Sequence, residues 1–324
     1  MAVIVQWAQE NGEVGGVLTS HRQLSQALRE AGHDVRYVDT GSLRRAARAL
    51  PPVLARRCLH LFHITRLWRA IVLAPLFTTV RGRTVLVLHS GSTSGQVREM
   101  GRSRRLALRV ALRAYDEIWA VNDAIRDVLP ARLIDRVVVV VPFDETLAPA
   151  GDQGDRDPHA LALATNAGLP HYNAELGLEA AKVIRQTWPD ATLHILAYGN
   201  DGPALSRLRA SVRGHDWATV TFDLSPRETS EVLQHAGCLL RPTSWDGDSV
   251  IVREALASGA RVVASDCAPR PKGVELAPLT VAGFAEAVLT GGLPSDGTGL
   301  AGLTMAAAAE AALARVGVAS EASR

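Results

Sequence analysis

The sequence predicts an α/β protein made of two doubly wound parallel sheets. Short runs rich in Val, Leu and Ile alternate with amphipathic stretches of helical length through both halves of the chain. Two of these runs, VLVL and VVVVV, are apolar throughout, which is typical of strands buried on both faces of a parallel sheet. A chain of 324 residues, 47% of them hydrophobic, has the length of two domains of roughly 150 residues each. We therefore expect two Rossmann-like domains that face each other across a cleft.

The first half of the chain predicts five strands and two helices. The strands are Val3–Gln6, Val35–Val38, Thr84–Leu88, Ile118–Val121 and Val137–Val141. The helices are Thr19–Ala31, which Gly32 follows at the position of a C-terminal cap, and Arg102–Ala114. Residues 1–145 are accordingly assigned to the first domain.

The second half restarts the alternation after a stretch of different composition. Asp144–Pro158 is rich in Asp, Gly and Pro and has no periodicity, so residues 146–158 are interpreted as a linker and residues 159–324 as the second domain. The tail Gly299–Ala314 predicts an Ala-rich helix that is free to pack back on the first domain. The other predicted elements are strands Ala160–Thr165, Thr192–Ala197, Thr219–Asp223, Cys238–Arg241 and Arg261–Ser265, and helices Ala174–Thr187, Ala204–Val212, Pro226–His235 and Ser249–Ser258.

Composition argues against a membrane-spanning, secreted or disulfide-stabilised protein. The longest apolar run, Ala70–Val80, has 11 residues and includes Pro75, whereas a spanning helix needs about 20. The first residues, MAVIVQW, lack the basic region and cleavage site of a secretory signal. Cys58, Cys238 and Cys267 are too few and too scattered for a disulfide framework or a CxxC zinc site. We therefore expect a cytoplasmic protein.

The formal net charge of +2 conceals an uneven distribution. Residues 1–150 contain 21 Arg, no Lys and 13 acidic residues, a balance of +8, and the remainder of the chain has a balance of −6. This asymmetry indicates an anionic partner for the first half (a membrane surface, a nucleic acid or a phosphorylated acceptor), or else a solvated Arg-rich face. The expectation kept here is peripheral contact with the inner, anionic face of a membrane, and no nucleic acid is predicted as a partner.

The segment Arg241–Asp266 combines features that suit a ligand with both hydroxyls and phosphates. A predicted strand runs into RPTSWDGDSVIVREALASGARVVASD, which forms an acidic loop and then a helix that Gly259 ends. Asp248 is the predicted N-cap, so the free N–H groups behind it form an anion site. Asp246 precedes this site and Glu254 lies in the second turn of the helix. An N-capped surface helix with ordinary exposed acids is the alternative interpretation.

The pattern P-T-S-x-D-G-x-x-x-x-x-x-E-A-x-A-x-G, followed by V-V-A-S-D, resembles the donor-site signature of retaining glycosyltransferase family 4, whose fold is GT-B. The resemblance extends over most of the chain. It includes the Gly-Gly pair before the first helix with LTSHRQLSQALREAGHDVRYV, and the strand VLVLHSG. It also includes YDEIWAVNDAIRDVL and SPRETSEVLQHAGCLLRPTS. Together these motifs are more specific than a single Gly-rich loop.

The resemblance implies that different residues of the second domain bind different parts of the donor. Glu254 would hold the ribose hydroxyls of the donor, and Asp246 would hold the hydroxyls of the transferred sugar. Backbone amides of the intervening loop would meet the sugar and the distal phosphate. The loop residues concerned are Gly247, Asp248, Ser249 and Val250.

The resemblance also implies contributions from the first domain. Gly15 and Gly16 would allow their loop to approach the diphosphate, where a Cβ would obstruct it. His89, at the end of a predicted strand, would lie beside the reacting sugar and is a catalytic candidate together with Asp246. The alternatives are a simple glycine turn and an ordinary loop histidine.

The chain departs from the family pattern at two places. The first acid of the signature is usually Glu and is Asp246 here, one methylene shorter. The Arg and Lys that the family places early in the second domain are missing from TNAGLPHYNAELGLEAAK until Lys182. The candidates for replacing these phosphate cations are His171, Arg270 and Lys272. Loss of cations facing a leaving diphosphate would be costly in rate.

These observations predict a retaining glycosyltransferase that moves a sugar from a nucleotide-sugar donor, UDP-sugar favoured, to a hydroxyl acceptor. The acceptor would be lipid-linked, a glycan or a natural product. The alternatives are a non-catalytic GT-B-like binding or scaffold protein and a nucleotide-sugar epimerase of the same fold. No metal and no other cofactor is predicted: His60 and His63 in HLFH have a spacing that fits one helical face, but with Cys58 they remain short of a ligand set. We interpret this pair as part of a helix surface.

Overall fold

A computed structural model describes residues 2–8, 16–40, 58–77, 82–147, 156–292 and 301–315. The chain divides into two compact units. One comprises Met1–Asn11, Ser20–Asp144 and Gly302–Arg324, and the other comprises Gly12–Thr19 and Glu145–Ala301.

The first unit contains a six-stranded parallel sheet in the order β2-β1-β3-β4-β5-β6. Val, Leu and Ile of its strands are buried on both faces, as in Val85, Leu86 and Val87. Its strands are β1 (Val3–Ala8), β2 (Asp34–Asp39), β3 (Cys58–Ile64), β4 (Gly82–Leu88), β5 (Glu117–Ala120) and β6 (Val137–Val139). The helices in this part of the chain are α1 (Gly16–Glu30), α2 (Leu67–Phe77), α3 (Thr93–Glu99), α4 (Arg102–Ala111) and α5 (Asp123–Asp127).

The second unit repeats the architecture with a six-stranded parallel sheet in the order β12-β11-β10-β7-β8-β9. Its strands are β7 (Asp157–Asn166), β8 (Thr192–Tyr198), β9 (Ala218–Phe222), β10 (Ala236–Arg241), β11 (Arg261–Ser265) and β12 (Glu275–Ala277). Its helices are α6 (Ala174–Thr187), α7 (Pro203–Ser211), α8 (Pro226–His235), α9 (Val250–Ala257) and α10 (Val281–Thr290). Two parallel sheets, one in each unit, confirm the predicted α/β class.

Several helix boundaries follow directly from local sequence. Gly32 adopts φ +84° after α1, and Gly259 adopts φ +79° after α9, so both supply the left-handed residue that ends a helix. Ser225 starts α8 with a capping box, in which its hydroxyl accepts from the Glu228 N–H and the Glu228 carboxylate accepts from the Ser225 N–H. The C-terminal cap at Gly32 was predicted, and it is confirmed.

The segment HLFH corrects the sequence interpretation. It lies in β3, between β1 and β4, and all seven residues Cys58–Ile64 are buried. Side chains alternate along a strand, so His60 and His63, three residues apart, lie on opposite faces of the sheet. The pair therefore forms no helix surface. A strand that is buried on both faces has no alternation of polar and apolar residues by which it could be recognised. The two histidines, three residues apart, were therefore interpreted as one face of a helix.

Other elements differ from the sequence expectation at sheet margins and helix ends. The elements α2, α3, α5, α10 and β12 were not predicted. The predicted helix Arg102–Ala114 changes after Ala111 into a 3₁₀ turn at Leu112–Ala114. Val141 lies beyond the short edge strand β6 and pairs with Thr304 instead. Such differences are expected where chain ends and sheet edges, rather than periodicity, set the boundary.

The last described helix, α11 (Met305–Ala314), packs into the core of the first unit. Met305 accepts at Sδ from the Ser20 hydroxyl at 3.4 Å, and Glu310 pairs with His33 at 2.7 Å. Of the predicted linker, residues 148–155 lie outside the described residues, and β7 already begins at Asp157. Among the described helices, none combines the length and the hydropathy needed to cross a bilayer.

Candidate functional site

The loop after β10 is where the second sheet presents its functional side chains. β10 pairs in parallel with β7 on one side and with β11 on the other, and each of its residues is buried. Ligands of open parallel sheets bind beyond the carboxyl ends of the strands. Residues 242–249 begin at that end of β10 and lead into α9.

Asp246 lies at the centre of a buried hydrogen-bonded cluster. Its Oδ2 accepts from Arg241 Nε at 2.9 Å and from Arg270 Nη1 at 3.0 Å, while its Oδ1 accepts from the Gly247 N–H at 3.1 Å. Arg270 also donates to the hydroxyls of Thr243 at 2.7 Å and Ser265 at 3.1 Å. The side chains of Arg241 and Arg270 are 4% and 3% exposed, so both guanidinium groups are held inside the unit.

The charges of this cluster do not cancel. Burial raises the pKa of Asp246, but the two arginines outweigh it and lower that pKa to about 2. Asp246 is therefore an anion at neutral pH. With two arginines and one carboxylate, the Arg241–Asp246–Arg270 cluster has a net charge of +1. A positive charge in a poorly solvated place strengthens the attraction of a nearby anion.

The N-terminus of α9 is open. Ser249 is its N-cap, and within the described ranges no side chain caps the helix. The Ser249 hydroxyl is buried and has no hydrogen-bond partner in the described part of the chain. Unbonded N–H groups at a helix start attract anions, and a buried hydroxyl normally has a partner, so both features point to a polar ligand.

The predicted N-cap role of Asp248 is wrong. Asp248 forms a bidentate ion pair with Arg253, with both donor–acceptor distances 2.7 Å and both side chains 7% exposed. The buried guanidinium competes for the carboxylate more strongly than the helix amides do. The amide of Asp248 remains where the sequence places it, in the loop before α9.

Glu254 is a partly buried acid without a partner. It lies in the second turn of α9, and neither a hydrogen bond nor an ion pair joins its carboxyl to any other described residue. Burial raises its pKa to about 7. An unpaired carboxyl can accept hydrogen bonds from ligand hydroxyls without first breaking a hydrogen bond within the protein.

His171 and Trp245 form a stacked aromatic pair beside the cluster. Their ring centroids are 3.7 Å apart with 12° between the planes, and the His171 carbonyl accepts from the Ser244 N–H at 2.8 Å. Burial lowers the pKa of His171 to about 4, against the opposing charge of Asp246. His171 is therefore neutral at pH 7 and supplies no positive charge there.

The other two candidate cations differ in availability. Arg270 is tied to Asp246, Thr243 and Ser265 as described above. Lys272 follows β11 in the same loop, is exposed, and its ammonium group makes no ion pair within the described residues. Of the three candidates, Lys272 is thus the one whose charge is still free.

The glycine candidates are only partly described. Gly15 lies outside the described residues, and Gly16 is the first residue of α1. A Cβ on Gly16 would lie 3.3 Å from both Cβ and Cγ2 of Val250, which belongs to the same unit. This close approach of backbone to side chain explains a glycine at position 16.

His89 lies in the first unit, directly after β4. Its Nε2 is 2.9 Å from Nδ1 of His63, and it is 8% exposed. Its Nδ1 has no hydrogen-bond partner among the described residues. Burial lowers its pKa to about 4, so the ring is neutral.

Sequence reasoning missed three functional neighbours: Arg241, Trp245 and Arg253. Arg241 and Arg253 were interpreted only as members of a strand and a helix, and Trp245 only as part of the loop between them. What could have identified them from the sequence is a charged or aromatic residue in a context where that residue type is unusual. Arg241 ends an otherwise apolar strand, and Trp245 lies inside an acidic loop. Arg253 is the fourth residue of α9, whose first three residues are apolar.

The fold has many relatives of known structure, at low sequence identity. HepE of Anabaena, solved with UDP and glucose, has a TM-score of 0.66 at 13% identity over 98% of this chain and 95% of its own. Sucrose-phosphate synthase of Thermosynechococcus elongatus has a TM-score of 0.64 at 15% identity over 90% and 89%. Pneumococcal O-GlcNAc transferase GtfA, solved with UDP and GlcNAc, has a TM-score of 0.59 at 14% identity over 77% of this chain. The chain spans about half of GtfA, 54% of its length.

Two six-stranded parallel sheets and these likenesses define a protein of the GT-B class. Residues 160–290, which include the whole loop and α9, match the family Glycosyl transferases group 1. The matched segment contains the donor-site motif that resembles the signature of family 4. No curated protein matches the chain.

Proposed function

We propose that the chain is a retaining glycosyltransferase that moves a sugar from a UDP-sugar to a hydroxyl acceptor. The observation that carries this proposal is the unpaired carboxyl of Glu254, located in the second turn of a helix whose N-terminus is open. Both features lie inside the segment that matches the group 1 family. Relatives of the same fold that were solved with UDP support the choice of nucleotide.

In the proposed complex, Glu254 accepts hydrogen bonds from the two ribose hydroxyls. The diphosphate lies at the start of α9, where the amides of Gly247 to Val250 and the hydroxyl of Ser249 are available. The surplus positive charge of the Arg241–Asp246–Arg270 cluster lies in the same loop and favours the dianionic leaving group. Lys272 is the candidate for direct contact with the phosphates.

Asp246 acts in this proposal as a positioning residue. Its two oxygens already hold Arg241, Arg270 and the Gly247 amide, so they fix the orientation of the amide that meets the donor. His89, in the first unit, remains a proposed catalytic residue.

The chemistry needs little more than orientation and charge. Departure of UDP leaves positive charge at the anomeric carbon and negative charge on the distal phosphate, which helix amides and cations stabilise. The acceptor hydroxyl attacks the anomeric carbon from the face that UDP leaves, and its proton passes to the leaving phosphate oxygen. The bond formed replaces the bond broken on the same face, so configuration is retained.

A panel of UDP-sugars, incubated with and without candidate hydroxyl acceptors, tests the proposal through UDP release. We expect release from one donor, a product of unchanged anomeric configuration by NMR, and loss of release in Glu254→Gln. Glu179→Gln, which alters an exposed acid on α6 in the same unit, is the matched control. UDP binding without release from any donor would instead identify a binding protein, and conversion of the donor itself would identify an epimerase.

The acceptor side of the proposal rests on a basic and apolar surface formed by α2 and α4. Trp68 and Val72 are one turn apart on α2 and are 52% and 64% exposed; Leu106 and Val110 are one turn apart on α4 and are 63% and 58% exposed. Exposed apolar residues at this spacing form a stripe on each helix. Exposed arginines flank the stripe on α4, namely Arg102, Arg104 and Arg109.

We infer that this surface contacts an anionic lipid bilayer, because exposed aliphatic and indole side chains combined with arginines match an acidic headgroup layer above an acyl boundary. Co-sedimentation with phosphatidylglycerol vesicles, but not with phosphatidylcholine vesicles, is the expected result at low salt. Leu106→Ser with Val110→Ser, and separately Arg104→Glu with Arg109→Glu, should abolish it. Leu276→Ser and Arg207→Glu, exposed positions of the second unit, are the matched controls. Equal binding by all variants would exclude this surface.

A further inference from the structure

Three histidines from three elements of the first unit meet in its interior. His21 lies in the second turn of α1, His63 in β3 and His89 directly after β4. β3 and β4 are parallel neighbours in which His63 is aligned with Val87. Since His89 is two residues beyond Val87, it projects to the same face as His63.

The three rings are in mutual contact. The ring centroids of His21 and His63 are 3.9 Å apart, and those of His21 and His89 are 5.6 Å apart. Nδ1 of His63 lies 2.9 Å from Nε2 of His89. One ring nitrogen from each histidine can be chosen such that all three lie within 4.8 Å of one another.

This cluster does not satisfy its own hydrogen-bonding capacity. Both ring nitrogens of His21 and Nε2 of His63 are buried without a hydrogen-bond partner in the described part of the chain. Each neutral imidazole has one donor and one acceptor nitrogen, and buried polar atoms of this kind are nearly always paired. Unpaired nitrogens on two of three rings whose ligand atoms lie within 4.8 Å of one another indicate a ligand that accepts their lone pairs.

We propose that His21, His63 and His89 bind one divalent transition-metal ion, with Zn²⁺ the ion that suits this ligand set best. Zinc binds imidazole nitrogen at about 2.0–2.1 Å in a tetrahedral arrangement, which places ligand nitrogens about 3.3 Å apart. The observed spread requires a contraction of about 1.5 Å at most. Three histidines leave the fourth position for water or another small ligand.

The electrostatic state of the rings agrees with this assignment. Burial lowers the pKa of His21 and of His63 well below the usual value and that of His89 to about 4. All three are therefore neutral at pH 7, and neutral imidazole is the form that coordinates metal. No proton needs to be displaced from a charged ring before the ion binds.

His60 provides an internal contrast. It lies on the same strand as His63 but on the opposite face. Its Nδ1 accepts from Trp7 Nε1 at 3.2 Å, and its Nε2 is buried without a hydrogen-bond partner among the described residues. It is buried like the other three and belongs to no group of convergent ligands within the described residues.

Metal analysis of the full chain, expressed without a histidine tag, tests the proposal independently of sugar transfer. The protein is treated with chelator, dialysed, and titrated with Co²⁺ and with Zn²⁺. We expect one equivalent of tightly bound metal, visible d–d absorption for Co²⁺, and X-ray absorption of the zinc form fitting three imidazole nitrogens. A rise in Tm on adding Zn²⁺ to the stripped protein is also expected, because an ion that binds only the folded state stabilises it.

Variants connect the metal to these residues. Stoichiometry should fall from one to near zero in His21→Gln, His63→Gln and His89→Gln, whereas His60→Gln should keep one equivalent. Absorption data on the wild-type chain decide the question even where a variant fails to fold. The proposal is overturned if the stripped wild type binds no metal at micromolar free Zn²⁺, if the fit requires sulfur or mainly oxygen ligands, or if a folded His63→Gln variant still binds one equivalent. In the last two cases the histidines would be only a packed polar cluster.

Discussion

Nη1 of Arg270 donates to Oδ2 of Asp246 at 3.0 Å, with both side chains largely buried. The sequence assigns these two residues to different parts of a donor, one to the phosphates and the other to the sugar. In the structure they hold each other, and Arg241 joins them on the same carboxylate oxygen. In the proposed donor complex, this cluster supplies a fixed positive charge, and Glu254, the α9 amides and Ser249 make the direct hydrogen bonds.

Asp246→Asn should destabilise the protein markedly. It removes the anion that two buried guanidinium groups share, and breaking a buried pair in this way typically costs about 3–5 kcal/mol. Thermal and urea unfolding measure the change, with Asp266→Asn, an exposed acid in the next loop, as control. A variant as stable as the wild type would show that Asp246 is free to bind ligand instead.

The pH dependence of this contribution has a definite sign. The folded pKa of Asp246, about 2, lies below the ~3.9 of an unfolded Asp, so its stabilisation is complete above about pH 4 and is lost as pH falls towards 2. The gap between wild type and Asp246→Asn should therefore close over that window in acid unfolding. A gap that stays constant down to pH 2 would contradict this explanation.

At pH 8, where the Glu254 carboxyl is mostly ionised, Glu254→Gln should weaken UDP binding by about 1–3 kcal/mol, or roughly 5- to 150-fold in Kd, because a charge-assisted contact to the ribose becomes neutral. Calorimetric titration with UDP measures it, and Glu179→Gln should bind as the wild type does. Unchanged affinity in Glu254→Gln would remove Glu254 from the site.

The same variant should be more stable than the wild type at alkaline pH. The folded pKa of Glu254, about 7, exceeds the ~4.3 of an unfolded Glu, so the folded chain keeps a proton that the unfolded chain loses. Raising the pH from about 4.3 to 7 therefore lowers the free energy of unfolding of the wild type. We expect nearly equal Tm values at pH 4 and a Tm for Glu254→Gln that is several degrees higher at pH 8, since each kcal/mol of lost stability lowers Tm by about 2–4 °C. A difference of the same size at both pH values would disprove the assignment.

Lys272→Ala should lower turnover by about 10²-fold, the usual effect of losing one donor to a charge that develops in the transition state. The chain offers a matched control, since Lys182 is its only other lysine and is paired with Glu179 on α6. Steady-state UDP release with the best donor of the panel is the measurement. If Lys182→Ala and Lys272→Ala behave alike, the phosphates are held by amides and the buried cluster alone.

The sequence by itself determined the two-sheet α/β architecture, since buried parallel strands are continuous apolar runs and VLVL and VVVVV need no tertiary information to be recognised. It also located the loop and helix after β10, because the motif from Pro242 to Gly259 is contiguous. It failed for HLFH, where two buried histidines in β3 imitate a helical spacing.

Only the tertiary structure decided which charged side chains are free and which are paired. Arg270 meets Asp246 from 24 residues away, and His21, His63 and His89 converge across 68 residues of chain. Glu254, in contrast, has no hydrogen-bond or ion-pair partner among the described residues, although acids and arginines surround it in the sequence. Such pairings depend on which strand ends are neighbours in a sheet and on how deeply each group is buried. Local periodicity encodes neither the order of strands in a sheet nor the burial of each charged group, so no sequence motif could have predicted these pairings.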